Sequence, residues 1–347
     1  MPNPVILFAI ATLLPVPFLV LAAFLGGIYG WIAVIYLTVF AFILDQLNST
    51  FSPRAAPQKQ QPDADHLLIA LGGVHFILLI LAIWAVSGGT GLGIGARALV
   101  FAGFGLYFGQ VSNPAAHELI HRTNRTQFTL GKCMFSSLLF GHHTSAHRLV
   151  HHVHVATPDD PNSAALGDSF YAFAPRAWFG SFVAGWRAET QLRKQSGGGI
   201  LHPYVIYAGG AVLGLICGAL IGGWAGVFAY VALAAYATMQ LLMSDYVQHY
   251  GLIRWQDADG KTQAVSPRHS WNAPHRFSAR MMLNAPRHSD HHAHPLRRFP
   301  KLLLDGDMPM LPYSLPVMGF LALFPRRWRT IMDPRVAAQT SSDITPE

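Results

Sequence analysis

Six stretches of about 20 mainly apolar residues constrain the fold of this chain more than any other feature. A helix of that length crosses the hydrocarbon core of a bilayer, and only helices or closed barrels satisfy their backbone polar groups there. Charged residues make up 12% of the chain, against roughly 25% in soluble proteins. We therefore predict an all-α integral membrane protein with six transmembrane helices, at about residues 4–25, 28–47, 66–86, 94–112, 203–221 and 224–243.

The six spans are predicted to form three hairpins, because short connections at 26–27, 87–93 and 222–223 join them in pairs. Every Lys and Arg except Arg97 lies outside the spans and these connections. Cytoplasmic segments of membrane proteins carry an excess of Lys and Arg. We therefore expect both termini and all the longer polar segments on the cytoplasmic side of the cell inner (plasma) membrane.

The chain is interpreted as one membrane-bound domain, residues 1–347, with a cytoplasmic histidine-rich di-metal region. That region is predicted to comprise residues 113–202 and 244–336. Residues 48–65 are predicted to be a polar linker, and residues 337–347 a disordered tail. The first apolar stretch has no basic segment beyond the amino terminus and no clear cleavage site, so we predict a retained helix.

The polar segments carry three histidine clusters, and a further histidine follows the sixth span. His147 and His151 are four residues apart, so on a helix they share one face and can point at one object. The third cluster has i, i+3 and i+4 spacing, which again predicts one helical face. Imidazole is the commonest ligand for iron, zinc and copper. We predict two metal ions held by nine histidines: His117, His121, His147, His151, His152, His249, His288, His291 and His292.

The other polar residues near the clusters receive weaker predictions. Carboxylates and amides beside ligand histidines can orient them, and the candidates are Glu118, Asp159, Asp160, Asp245, Gln248 and Asp290. An equally good interpretation of each is a cap or a solvated loop residue. The remaining histidines are expected to support the ligands, to pack between helices or to face solvent; they are His66, His75, His142, His143, His154, His202, His269, His275 and His294. For His142 and His143 a role as ligands is the alternative.

The first cluster also matches H-E-x-x-H, the zinc-protease helix in which the glutamate is the general base. Asp305 could then supply a distant carboxylate ligand, as in an intramembrane zinc protease. This alternative uses two histidines and leaves seven clustered histidines without a role, so we regard it as remote.

At the histidine clusters the chain resembles the membrane-bound alkane hydroxylase (alkane 1-monooxygenase) family, within the fatty-acid desaturase and hydroxylase superfamily. The family's H-E-x-x-H followed by a basic residue matches 117–122. Its second motif, ending V-x-V-A-T-P-x-D-P, matches 147–161. Its H-Y-G-L string matches 249–252, and its R-H-S-D-H-H-A string matches 287–293. The departures are Ala146 and Gln248 in place of Glu, Val150 in place of Gly, Asp245 in place of Asn, and Ala285-Pro286 in place of Leu-Gln.

This resemblance implies a non-haem di-iron monooxygenase. One oxygen atom of O₂ would enter a terminal C–H bond of a medium- or long-chain alkane, giving a primary alcohol. An apolar channel within the bundle would then select the chain end. A xylene-type methyl hydroxylase of alkylaromatics, a fatty-acid desaturase and a membrane metal-binding protein without activity remain alternatives.

Any electrons must come from another protein. The two cysteines, Cys133 and Cys217, form no C-x-x-C pair, so the chain offers no iron–sulfur site of its own. We expect a rubredoxin-like or ferredoxin-like donor with an NAD(P)H-dependent reductase, besides hydrocarbon, O₂ and membrane lipid, and no nucleic acid. The leading docking contacts are Arg297-Arg298-Lys301, followed by Arg326-Arg327-Arg329.

Overall fold

The computed structural model describes residues 4–47, 63–198, 201–256 and 259–344. Within these ranges it is helical, with only isolated bridges between Gln256 and Thr262 and between Asn272 and Met310. The predicted all-α class is therefore confirmed. The longer helices are α1 (Pro4–Leu13), α2 (Pro15–Leu25), α3 (Gly27–Ile35), α4 (Ala41–Leu47), α5 (Asp63–Ser87), α6 (Ile94–Tyr107), α7 (Asn113–Ile120) and α8 (Arg125–Ser137).

From residue 143 onward the chain mixes three long helices with many short ones. A π-helical turn, His147–His151, joins α9 (His143–Ala146) to α10 (His152–His154). Similar π turns, Tyr36–Phe40 and Phe108–Ser112, connect α3 to α4 and α6 to α7. The later helices are α11 (Phe170–Ser196), α12 (Pro203–His249), α13 (Arg276–Met281), α14 (His288–Ala293), α15 (Leu315–Ala322) and α16 (Pro325–Ile344), with 3₁₀ turns at Pro267–His269 and Phe299–Lys301.

Five segments are long and apolar enough to cross a membrane. They are Val5–Leu25, Gly27–Leu47, Ala64–Ser87, Ile94–Ile120 and Pro203–His249. They contain all six predicted stretches, because the last two both fall within α12. Large apolar side chains along them are exposed, among them Ile80, Leu220 and Phe228. This exposure suits a lipid environment and identifies the chain as a membrane protein.

The long helix α12 bends sharply in the middle. Gly222 and Gly223 have non-helical backbone angles, and Gly223 has a φ of 58°. A left-handed conformation of this kind favours glycine. On either side Gly218 and Gly226 pack backbone against backbone, since a Cβ at residue 226 would lie 2.1 Å from the Gly218 carbonyl oxygen. The chain therefore reverses direction at this point.

Two helices deliver histidines directly from the membrane to the polar region. The helix α6 continues through the π turn into α7, which ends within the first histidine cluster. The helix α12 ends at His249. At the end of α4 the buried carboxylate of Asp45 accepts hydrogen bonds from the backbone N–H groups of Phe277 and Ser278, at 2.9 and 3.0 Å. This contact fixes the start of α13 against the second span.

The carboxyl-terminal prediction was wrong over most of its length. Residues 337–344 continue α16 instead of forming a disordered tail. Val336, just before them, is buried, and the alanines that follow favour helix, so the helix continues beyond the buried residue. Residues 345–347, and residues 48–62 of the predicted linker, lie outside the described residues, whereas its last residues, 63–65, already belong to α5.

We predict that Gly226→Ala destabilises the protein by about 1–3 kcal/mol, because the added methyl group must displace the backbone of Gly218. Thermal unfolding in detergent would measure the loss. Gly209→Ala is the matched control, since a Cβ at this position on the same helix meets no atom within 4 Å. Equal unfolding temperatures for the two variants would show that the close approach does not constrain the fold.

Candidate metal centre

The nine histidines predicted as ligands come together in two neighbouring groups. The ring nitrogens within each group all lie within 4.8 Å of one another. The rings of His152 and His292, one from each group, are stacked with their centroids 4.5 Å apart. The first group consists of His117, His121, His147, His152 and His291, and the second of His151, His249, His288 and His292.

The Nε2 atoms of the first group converge. His147 Nε2 lies 2.7 Å from that of His117 and 2.9 Å from that of His152, and the Nε2 atoms of His152 and His291 are 3.1 Å apart. Nitrogens about 2.1 Å from one ion, at right angles, would be about 3.0 Å apart. The buried Nε2 of His121 has no hydrogen-bond partner within the described residues. The group therefore fits a metal ion.

The second group has the same geometry with one fewer ring. His288 Nε2 lies 2.9 Å from that of His249 and 3.1 Å from that of His292. The Nε2 of His151 is buried and finds no hydrogen-bond partner in the described part of the chain. Its other ring nitrogen, Nδ1, is 2.8 Å from Asp160 Oδ2. A carboxylate on the outer nitrogen fixes the tautomer and aims Nε2 at the centre of the group.

The division of the ligands differs from the helical spacing expected from the sequence. His147 and His151 do not belong to the same group, because residues 147–151 form a π turn whose hydrogen bonds run from i to i+5. His147 therefore pairs with His152, while His151 turns to the second group. On α14, His288 and His292 share the second group as i, i+4 neighbours, but His291 belongs to the first. The helical spacing therefore did not predict how the second and third clusters divide, whereas His117 and His121 of the first cluster do lie in one group.

Burial keeps most of these imidazoles neutral. It lowers the pKa of His121, His147, His152, His288, His291 and His292 well below the ordinary value, and neighbouring imidazoles lower the pKa further. His151 differs. Burial alone would lower its pKa, but the charge of Asp160 and the hydrogen bond to it raise the pKa above its ordinary value. Neutral imidazole is the form that binds a metal.

A buried carboxylate network supports the second group from outside. Asp160 also accepts hydrogen bonds from Ser163 Oγ at 2.7 Å and from the backbone N–H of Asn162 at 3.1 Å. The Asn162 side chain donates to Asp245 Oδ2 at 2.6 Å. Asp245, one of the departures from the family motif, thus joins α12 to the loop that carries Asp160.

The other predicted acids and Gln248 hold protein segments together. Gln248 accepts a hydrogen bond from Ser244 and donates one to the carbonyl of Ala285, at 2.7 and 3.0 Å. Glu118 accepts from Arg122 at 3.0 Å and from the backbone N–H of Phe299 at 3.2 Å.

Asp290 is bonded to the backbone N–H of Leu303 at 2.8 Å and to Arg297. Asp159 is exposed. Of the acids predicted beside the ligands, Asp160 is the one that bonds to a ligand imidazole within the described residues.

The remaining histidines lie around the two groups. His143 is buried, stacks on Phe140 and lies 4.9 Å, ring to ring, from His147. His142 packs between Phe140 and Trp178. His75 bonds to Ser137 within the bundle, and His294 is 3.1 Å from Asp290. His269 is buried and accepts from the backbone N–H of Ser266. Partly or fully solvent-facing rings belong to His66, His154, His202 and His275.

An open cleft of about 560 Å³ adjoins the first group. Its lining includes His121 and His152 of the first group, together with Arg122, Arg125 and Arg148. Arg148 lies over the ring of Phe128, 4.9 Å from its centroid. The sequence did not reveal this cleft, because its lining comes from three separated segments: 121–128, 148–152 and 295–296.

Comparisons with known proteins agree with this architecture. The family model described as "Fatty acid desaturase" matches residues 92–318, more than half of the chain. Alkane 1-monooxygenase 2 of Alcanivorax borkumensis is 30% identical over 95% of this chain and 90% of its own length. The chain belongs to the alkane 1-monooxygenase family. The alkane 1-monooxygenase of Ectopseudomonas oleovorans is 33% identical, over 78% of this chain and 68% of that protein.

A more distant relative is the hydroxylase component of a xylene/toluene monooxygenase from Pseudomonas putida. It is 26% identical over 62% of this chain and 58% of its own length. Alkane 1-monooxygenase relatives therefore cover more of the chain at higher identity. The resemblance found in the histidine motifs is confirmed.

We predict that Asp160→Asn lowers the affinity for one metal ion about 10- to 100-fold and leaves a second unchanged, because Asp160 supports a ligand of the second group alone. Metal content after dialysis against a graded chelator would measure this. Asp159→Asn is the matched control, since its side chain is the exposed neighbour. The prediction would be contradicted if both variants lost metal affinity equally, or if neither lost any.

Proposed function

We propose that this chain is a di-iron alkane 1-monooxygenase that converts a hydrocarbon to a primary alcohol. The overall reaction joins RH, O₂, two electrons and two protons to give ROH and water. The observation that carries the proposal is the pair of all-histidine groups, five and four residues, in a member of the alkane 1-monooxygenase family. When bound, two irons would supply the reductive activation of O₂.

Iron suits the two groups better than zinc does. Zinc has no redox chemistry, whereas an O₂-dependent oxidoreductase needs a metal that accepts and gives electrons. Imidazole nitrogen is a good ligand for iron. The nine proposed ligands hold the metals, and Asp160 orients His151 from behind.

The intramembrane zinc protease finds no support in the site. Its motif residue Glu118 is bonded to Arg122 and to the backbone of Phe299. Asp305, the carboxylate that would complete a zinc site, is exposed and belongs to neither histidine group. A general base and a third ligand would therefore both be missing from the position where the protease reaction needs them.

We propose further that residues 1–347 form one domain with six spans in three hairpins. The reversal at Gly222 and Gly223 supports two spans within α12, since 47 helical residues would otherwise extend about 70 Å, more than twice the thickness of a hydrocarbon core. Both termini and the metal centre would face the cytoplasm from the inner membrane, in line with the placement of Lys and Arg.

The position of the centre suits a hydrocarbon that arrives from the bilayer. His117 lies in the last turn of α7 and His249 ends α12, so two spans lead directly to the metals. A hydrocarbon offers no polar handle, and its chain end must be selected by apolar surface. Medium- or long-chain alkanes are the proposed substrates; alkylaromatics and fatty acyl chains are the alternatives suggested by the more distant relative and by the name of the family model.

We predict that cells expressing the chain with a redox partner, fed octane, hexadecane and p-xylene separately under ¹⁸O₂, form a labelled primary alcohol from an alkane. Mass spectrometry of the products would measure the label. An unlabelled alkene would instead indicate a desaturase, and a labelled benzylic alcohol alone would indicate a xylene-type enzyme. The His151→Ala variant is the control for activity of the host cell.

We propose the cleft beside the first group as the docking site of an acidic, rubredoxin-like or ferredoxin-like electron carrier. Two of the proposed ligands, His121 and His152, line it together with the exposed Arg125 and Arg148. The two arginines that the sequence predicts as leading docking contacts are paired with acids of the same chain: Arg297 is hydrogen-bonded to Asp290, and Arg298 lies 3.1 Å from Asp65. Replacing them would therefore disturb the fold as well as the surface charge.

We predict that the double change Arg125→Gln and Arg148→Gln raises the apparent KM for the carrier several-fold and leaves that for the hydrocarbon unchanged. Steady-state turnover at varied carrier concentration would measure it. The matched control, Arg326→Gln with Arg327→Gln, removes the same charge from an exposed surface outside the cleft. An unchanged carrier KM in the Arg125 and Arg148 variant would place docking elsewhere.

Turnover by the unaltered protein should also fall with added salt, since the screening length drops from about 10 Å at 0.1 M to about 3 Å at 1 M.

A further inference from the structure

One face of the long helix α11 packs against the short helix that leads into the second histidine cluster. Gly185 and Glu189 are four residues apart and therefore lie on the same face. A Cβ at Gly185 would lie 3.1 Å from both the Cα and the Cβ of Ala146, so the two backbones are in close contact. One turn further along, the Glu189 carboxylate meets Ser145.

The hydrogen bonds at this contact have a fixed direction. A carboxylate oxygen can only accept, so the Ser145 hydroxyl donates to Glu189 Oε1, at 2.6 Å. The Ser145 oxygen then accepts from the Tyr207 hydroxyl, at 2.7 Å. Ser145 is buried. Its position is therefore set from two sides, by α11 and by the amino-terminal part of α12.

Ser145 stands where the helical register changes. The helix α9 ends at Ala146 and continues without a break into the π turn His147–His151. That turn makes His147 and His152 neighbours in the first metal group. In a continuous α-helix, His151 would take the place beside His147. A fixed residue just before the turn determines the rotation at which the turn begins.

We propose that Glu189 is a positioning residue for the metal centre, acting through Ser145 on the π turn. The inference rests on the proposed metal function of the two histidine groups. Position 146, where the family motif has a carboxylate, is alanine here, and it packs directly against Gly185. Glu189 brings a carboxylate to the adjacent residue from another helix. Its loss should affect the first group, which depends on the pairing of His147 with His152, more than the second.

The test is metal stoichiometry in Glu189→Ala, Glu189→Gln and the control Gln191→Ala, each purified in detergent and loaded with Co²⁺. Gln191 is exposed on the same helix. We expect two ions per chain in the control, about one in Glu189→Ala, and close to two in Glu189→Gln, whose amide oxygen still accepts from Ser145. The visible absorption of Co²⁺ should lose the component due to one site in Glu189→Ala and keep the other unchanged.

Two Co²⁺ ions with an unaltered spectrum in Glu189→Ala would overturn the proposal, as would equal losses from both sites. If Glu189→Ala does not yield folded protein, Ser145→Ala tests the same contact from the other side and should show the same selective loss. The Co²⁺ content of the unaltered chain distinguishes failure of the proposed metal centre from failure of the positioning role of Glu189. If it binds no metal, the proposed centre has failed; if it binds two and the variants do as well, only the positioning role has failed.

Discussion

Nine imidazoles packed side by side, six of them in buried residues and three in partly buried ones, are the constraint on which the polar half of this protein depends. Their facing Nε2 atoms lie 2.7–3.1 Å apart, where at least one nitrogen of each contact must present a lone pair. A buried polar atom left without a partner costs about 1–3 kcal/mol. A metal ion placed where the Nε2 atoms of each group converge would bind their lone pairs and remove this cost. Metal binding and folding of this region should therefore be coupled.

The third histidine cluster lies on a short helix, α14, and both this helix and α13 before it depend on contacts made far away in the sequence. The helices α13 and α14 have six residues each, too few to be stable alone. Asp45 holds the first of them against a transmembrane span. Asp290 and Glu118 hold the segment that follows the second, through the backbones of Leu303 and Phe299. The membrane bundle thus serves as the rigid support for the site.

The surroundings of the two histidine groups differ in charge. Arginines line the cleft beside the first group, whereas the second has Asp160 on one ligand and Asp245 a single side chain further out. Two metals held in this way would be chemically unequal, because the ligand with a hydrogen-bonded carboxylate is the more basic. The asymmetry gives the proposed docking cleft a physical basis, since positive charge and exposed ligand edges occur together on one side.

The sequence by itself determined the membrane-spanning segments and the nine clustered histidines. Both depend on local properties, namely apolar length and the number of imidazoles in a short stretch. Only the tertiary structure decided that His151 and His152 belong to different groups, because the π turn changes the register by one residue. It also decided which acid supports a ligand: Asp160 and Asp159 are neighbours in sequence, but one is buried against His151 and the other is exposed. The first choice depends on the backbone hydrogen bonds of a single turn, and the second on a buried side-chain contact between residues 9 positions apart; the spacing of the histidines records neither.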